Sequence, residues 1–215
     1  YPEAISRYVG IPISSDFHVF THAERQVARQ QWGIDQLRPL IVITGGGLGA
    51  KHINDVVAET LHELMKVGTV VLISGTLQYD ELRALTPADD TRFQLHAFVS
   101  EGMASLLGAA DVVVTRAGAT TMLELAALSK PTIVIPNAKL TGGHQVKNAK
   151  VYQDADAVIV LNEESMLNQP GQLVMAINEV LNHHERSAAM ASRFARFARP
   201  AAAKDMADMI LAAKK

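Results

Sequence analysis

The chain has 215 residues, no Cys, and 20 Lys and Arg against 22 Asp and Glu, for a net charge of −2. At ~150 residues per domain this is one large domain, or one domain with an appendage, big enough to bury a core without a covalent or metal staple. The missing Cys excludes a disulfide scaffold, a thiolate metal site and a cysteine nucleophile; the charge balance argues against nucleic acid as the main partner; and 48% apolar residues exclude disorder. No apolar run approaches the ~18–20 residues of a membrane span, and no signal peptide is recognisable. The chain opens on Tyr1 rather than Met, which fits a processed protein or a piece of a longer one.

Residues 1–39 read as a linker and packing element, with Pro2, Pro12 and Pro39, the sole Trp (Trp32) and one helix over Thr21–Gln31. Thr21 with Glu24 three residues on has the form of a capping box. From Leu40 onwards short apolar runs alternate with helical patterns. Strands are predicted at Leu40–Thr44, Thr69–Ser74, Phe93–Val99, Asp111–Thr115, Thr132–Ile135 and Ala157–Leu161. Most are continuous apolar runs without alternation, as expected of parallel strands covered on both faces. Helices are predicted between them at Ala50–Lys66, Gln78–Leu85, Glu101–Ala109, Thr120–Ser129 and Gln145–Gln153. After Leu161 the pattern is helical, through Met166–Asn182, Arg186–Phe197 and Ala201–Lys215. This rhythm predicts an α/β fold: a Rossmann-like, doubly wound parallel sheet of about six strands with C-terminal helices, spanning residues 40–215.

Ligands of such sheets bind beyond the C-terminal ends of the strands. Glycines, hydroxyls and amides gather there in this sequence. The first strand is followed by Gly45-Gly46-Gly47-Leu48-Gly49-Ala50, which matches G-x-G-x-x-A. A dinucleotide site would want an acidic residue at the end of strand two, and Ser74-Gly75 stands there instead. The loop is either a phosphate-approaching turn or a tight turn with no ligand. No GxxxxGK[ST] exists, so an NTP-hydrolysing P-loop is excluded.

The fourth strand leads into Arg116-Ala117-Gly118-Ala119-Thr120-Thr121. Gly118 allows a sharp turn, and the free N–H groups of Ala119, Thr120 and Thr121 at a helix start form an anion site. Glu124 follows about one turn on. It either accepts two ribose hydroxyls of a nucleoside diphosphate or only complements the helix dipole. The fifth loop ends at His144-Gln145-Val146-Lys147-Asn148, where Gln145 and Asn148 share a helix face. Their amides suit sugar hydroxyls, or else form a solvated first turn.

Other chemistry is weaker. Asp154-Ala155-Asp156 spells D-x-D but falls at a helix-to-strand turn at the far end of the sheet. His18 and His22 lack the His-Glu-x-x-His context of a metal helix, and His183-His184 reads as solvated. No serine elbow is present. Arg186, Arg193, Arg196 and Arg199 lie on an amphipathic stretch with Met190 and Phe194, suited to packing or to anionic lipid.

Three segments taken together, GGGLGAKHIN, ADVVVTRAGATTMLELAALSKPTIVIP and TGGHQVKNA, resemble the C-terminal, donor-binding domain of the MurG family of GT-B glycosyltransferases. The order and spacing agree from Tyr1 to Leu161 and more loosely beyond. The resemblance implies half of a GT-B fold and an inverting transfer of N-acetylglucosamine from UDP-N-acetylglucosamine to a polyprenyl-pyrophosphate-linked acceptor in lipid II synthesis. It assigns the uracil edge to the backbone at Val99, the ribose to Glu124, and the diphosphate to Gly46, Gly47 and the Gly118–Thr121 tip beside Arg116. His144, Gln145 and Asn148 approach the sugar. It calls for no metal and no resident cofactor, and implies a cytoplasmic location with peripheral membrane contact. The acceptor site and general base are expected in an N-terminal domain or partner chain, so the chain alone is expected not to turn over.

The sequence departs from that pattern in three places. Ile11-Pro12-Ile13-Ser14 stands where the family has Asn-Pro-Val-Arg, Gly47 replaces a Ser, and Gly102 reads as an insertion. The alternatives are another UDP-sugar enzyme of the same fold, such as a glycolipid glucosyltransferase or UDP-sugar epimerase, and a non-catalytic nucleotide-sugar-binding subunit.

Overall fold

A computed structural model describes residues 6–46, 49–85, 87, 90–139 and 141–213. The strands are β1 (Leu40–Thr44), β2 (Thr69–Ile73), β3 (Phe93–His96), β4 (Val112–Thr115), β5 (Thr132–Val134) and β6 (Ile159–Val160). The helices are α1 (His22–Gln31), α2 (Lys51–Val67), α3 (Tyr79–Leu85), α4 (Met103–Ala109), α5 (Ala119–Ala127), α6 (His144–Asp154), α7 (Glu163–Asn168), α8 (Gly171–Asn182), α9 (His184–Ala195) and α10 (Ala202–Ala212). All six strands are parallel in the order β3-β2-β1-β4-β5-β6. The doubly wound sheet expected from the sequence is therefore present.

The continuous apolar runs are explained by two-sided burial. Leu40 and Val42 of β1, Val71 of β2 and Val113 of β4 face one core with residues of α1, α4 and α5. Their neighbours Ile41, Ile43, Val70, Leu72, Val112 and Val114 face a second core with α2 and α8. Each such side chain contributes ~1.5–3 kcal/mol on leaving water, so polar alternation has no place in these strands.

The segment before β1 packs into the first core through Phe17, Phe20, Ala28, Trp32 and Ile34. The capping box at α1 forms as expected: Thr21 accepts from the Glu24 N–H, and the Glu24 carboxylate accepts from the Thr21 N–H at 2.7 Å. His18 lies before α1 and bonds Glu24 at 3.0 Å, so it does not share a helix face with His22. Gly102, at φ 78, caps the start of α4 in the left-handed region. A Cβ there would sit 3.3 Å from the Trp32 ring.

Most boundaries shift from the sequence pattern by one or two residues, and three differences stand out. β3 ends at His96, three residues short of Val99, and β6 keeps only two of the five residues expected. The helical pattern over Met166–Asn182 is broken by Pro170, which has no N–H to donate and drives Gln169 to φ −140, ψ 76. Two helices, α7 and α8, result.

At the N-terminal end of the sheet, Asp111 joins three elements. Its carboxylate accepts from Arg25 at 2.6 Å, from Arg29 at 2.5 Å and from the Leu40 N–H at 2.7 Å. Lys130, 6% exposed, donates to the carbonyls of Gly108 and Ala110 at the end of α4. Burial, followed by the Arg25 charge, pushes its ammonium down to about 7. Asp111→Ala strips two guanidiniums and a strand N–H of their acceptor at once. Stability is expected to fall by about 2–3 kcal/mol, read from the urea midpoint at unchanged slope.

Candidate functional site

The strand order reverses at β1, which has β2 on one side and β4 on the other. The helices following β1 and β4 cover opposite faces, since α2 packs in one core and α5 in the other. Their two loops diverge and leave a crevice at the C-terminal strand ends. A cavity of about 520 Å³ fills it, lined by residues of both loops and of the fifth. That volume is within the ~300–1,000 Å³ range of small-molecule sites.

The glycines of the first loop divide by role. A Cβ on Gly45 would lie 2.4 Å from the Ala50 nitrogen, and one on Gly49 (φ +77) would lie 2.3 Å from the Ser74 carbonyl oxygen. These two let the backbone pass close to its neighbours. Ser74 is held in turn by buried Asn54, whose Nδ2 donates to its carbonyl at 2.9 Å. Gly46 differs: it has φ +81 and open space where a side chain would be, on the cavity wall. Gly47 lies outside the described residues.

Gly118 was expected to make a sharp turn, and the structure corrects this. Its φ of −68 and ψ of 132 are ordinary extended values. The missing side chain leaves space at the cavity wall, where a Cβ would meet only the Thr121 hydroxyl at 3.9 Å. α5 starts there with no side-chain cap, and its first helical bond runs from the Met122 N–H to the Gly118 carbonyl. Ala119, Thr120 and Thr121, all lining the cavity, precede that first bond and hold the unpaired N–H groups of the helix start.

Arg116 lines the cavity with its guanidinium committed elsewhere. It donates to the Ile135 carbonyl at 3.0 Å and to the Glu163 carboxylate of α7. Its geometry is that of a brace between β4, β5 and α7. Gln145 accepts the Asn137 N–H at 2.9 Å, which leaves its amide NH₂ for a further acceptor. Asn148 donates to the Ala117 carbonyl at 3.1 Å and holds the fourth loop from α6, but it does not line the cavity. His144 is exposed, with Nε2 2.7 Å from where a Cβ on left-handed Gly142 would stand. Val99 is buried beyond the end of β3, in the first core. Thus Gly46, Arg116, Gly118–Thr121 and Gln145 converge on one cavity, while Val99, Glu124, His144 and Asn148 lie outside its lining.

Glu124 lies on the helix face of Thr120 and Thr121, at i+4 and i+3. It is half-buried, and among the described residues its carboxylate has no hydrogen-bond or ion-pair partner. Burial raises its pKa above the ordinary value of 4.5. Sequence reasoning missed Lys51, His52 and Asn137, which line the cavity, and Glu163, which bonds Arg116 and lies 3.0 Å from His52 Nδ1. The GAKHIN segment signals the first two, as they open α2; nothing local marks Glu163.

Several of the remaining polar candidates have structural partners. Asp154 pairs with Lys150 at 2.8 Å, and Asp156 turns into β6 at φ 48. Arg186 pairs with Glu179, Arg193 donates to the Asp156 carbonyl, and Arg199 stacks 5.5 Å over the Tyr8 ring. A larger hollow of about 740 Å³ lies at the opposite sheet end, around Arg25, Arg29 and Lys130. Asp111 and backbone carbonyls already occupy those cations. Among the described residues no helix is long and apolar enough to cross a membrane.

This sheet order, with its crevice of helix-start and glycine-loop donors, is the architecture of a GT-B half-domain. Residues 40–206 match the model of the glycosyltransferase family 28 C-terminal domain, and the chain belongs to that family. It is 33% identical over 211 residues to the UDP-N-acetylglucosamine–N-acetylmuramyl-(pentapeptide) pyrophosphoryl-undecaprenol N-acetylglucosamine transferase of Exiguobacterium sp., covering 98% of this chain and 56% of that protein. The protein of the same name from Listeria welshimeri is 31% identical over 196 residues, covering 89% of this chain and 53% of that one. The crystal structure of Acinetobacter baumannii MurG superposes with a TM-score of 0.71 at 25% identity, over 94% of this chain and 57% of that one. The chain thus spans about half the length of these relatives.

The raised Glu124 pKa sets a pH dependence. The folded state holds the proton more tightly than the unfolded chain, so ionisation costs native stability. The cost is absent below about pH 4.5, grows as pH rises through the folded value and is constant above it. Glu124→Gln is therefore expected to raise the thermal midpoint at about pH 7, with the gain vanishing towards about pH 4. Differential scanning fluorimetry across that range checks it.

Proposed function

We propose that this chain is the donor-binding half of a UDP-N-acetylglucosamine-dependent glycosyltransferase. In this reading the enzyme passes N-acetylglucosamine to a polyprenyl-pyrophosphate-linked acceptor in peptidoglycan synthesis, at the inner face of the cell membrane. The observation that carries the reading is the pairing of the unpaired α5 N–H groups and open Gly46 with an unpartnered carboxylate one turn along the same helix. A diphosphate takes the first; adjacent ribose hydroxyls, two donors at close spacing, take the second.

The donor then lies with its diphosphate over Ala119–Thr121 and Gly46, and its ribose on Glu124. Uracil meets the backbone at Val99. The sugar faces the fifth loop, where the NH₂ of Gln145 is free to donate and where His144 and Asn148 stand close in sequence. Arg116 and Asn148 act by fixing the fourth loop. In the transfer, the bond from the anomeric carbon to the β-phosphate oxygen breaks and a bond to the acceptor hydroxyl oxygen forms. Negative charge grows on the departing diphosphate, and fixed peptide N–H groups meet it without reorganising. The acceptor proton leaves to a base outside this chain. Acceptor binding is likewise assigned to the other half of the enzyme, so the chain by itself binds donor without turning it over. This places the reading apart from an epimerase, whose reaction needs no second sugar acceptor.

Calorimetric titration with UDP, UDP-N-acetylglucosamine, UDP-glucose and NAD tests the proposal. Uridine nucleotides are expected to bind and NAD not to. Glu124→Ala is expected to weaken UDP binding about tenfold or more, the worth of hydrogen bonds to a charged acceptor, with the fold intact. Binding of NAD in preference to UDP, or a Glu124→Ala variant that binds UDP as the parent does, overturns it.

A further inference from the structure

We propose that His52, held beside the buried Glu163–Arg116 pair, donates through Nε2 to the diphosphate in this cavity. The inference rests on the donor-site reading above and adds to it a residue.

Arg116 stands closest in sequence to the helix tip, yet it is unavailable. Its side chain is 9% exposed, and its guanidinium is spent on the Ile135 carbonyl and on Glu163. Lys51 also lines the cavity, but its ammonium is clamped to both Asp55 oxygens at 3.0 and 3.1 Å. His52, the second residue of α2, remains. Its Nδ1 lies 3.0 Å from the same Glu163 oxygen that Arg116 engages, and its side chain is 37% exposed on the cavity wall.

That contact turns the Nδ1 edge of the ring towards Glu163 and leaves the Nε2 edge for the ligand. Among the described residues Nε2 has no protein partner. Arg116 and Glu163 neutralise each other, so the pair orients the ring. An Nε2–H donates to a diphosphate oxygen and meets the charge that develops when the diphosphate departs. Glu163 is a positioning residue in this scheme.

The test titrates UDP and uridine into the parent chain, His52→Ala, His52→Gln and Glu163→Gln. The affinity ratio of parent to variant is the readout. For His52→Ala and His52→Gln, the UDP ratio is expected to be about tenfold, the worth of one charge-assisted hydrogen bond at a partly exposed site. For uridine, which has no phosphate, the ratio stays near one. Glu163→Gln removes the carboxylate that holds the Nδ1 edge, so it is expected to weaken UDP binding while uridine binding is retained. A His52→Ala variant that binds UDP as tightly as the parent overturns the inference and leaves the donor-site reading standing. A parent chain that binds uridine but gains nothing from the diphosphate overturns it too. Binding of neither ligand by the parent removes the donor-site reading and this inference with it.

Discussion

A parallel sheet wound with right-handed crossovers must reverse direction once if helices are to cover both faces, and in this chain it reverses at β1. The helix after β1 goes to one face and the helix after β4 to the other. The two loops part over an open crevice, and the backbone donors at the start of α5 are left without partners. Every polar feature of the candidate site follows from that parting. Gly49 and Gly45 let the first loop turn hard against Ser74 and Ala50, Gly46 is left facing open space, and α5 starts with free N–H groups. The site is a product of the winding, and the side chains refine it.

Charge is handled differently at the two ends of the sheet. At the N-terminal end, Asp111 holds Arg25, Arg29 and the start of β1, and Lys130 is buried among carbonyls. All of this ties α1 and α4 to the sheet. At the C-terminal end, Arg116 and Glu163 neutralise each other and brace the fourth loop. The cavity is left with peptide N–H groups, an amide and an imidazole. Glu124 is the exception: a half-buried carboxylate with no protein partner among the described residues, whose ionisation costs stability.

The fold was legible because β1, β2 and β4 are buried on both faces and so read as unbroken apolar runs. The capping box at Thr21 and Glu24 was equally plain, being local chemistry. Boundaries failed where tertiary context decided them: β6 is a short edge strand with little pairing, and Pro170 divides one apolar periodicity into two helices. Within the site, the glycine and helix-start residues were readable from position after a strand. Arg116 was read as a ligand contact because sequence shows its charge and not its partner, Glu163, 47 residues away. Gly118 was read as conformationally required, when only its lack of a side chain matters. His52 went unnoticed because its role depends on that same distant carboxylate.

The central claim is that the crevice between the β1 and β4 loops holds a nucleoside diphosphate. Backbone amide spectra of the chain, recorded as UDP is added, test it most directly. The account requires the largest saturable shifts at Gly46, at Ala119–Thr121 and along the first turns of α5 to Glu124, with little change at Arg25, Arg29 and Lys130. Shifts centred on the Asp111 end of the sheet, or none at the α5 tip while UDP binds, would contradict it.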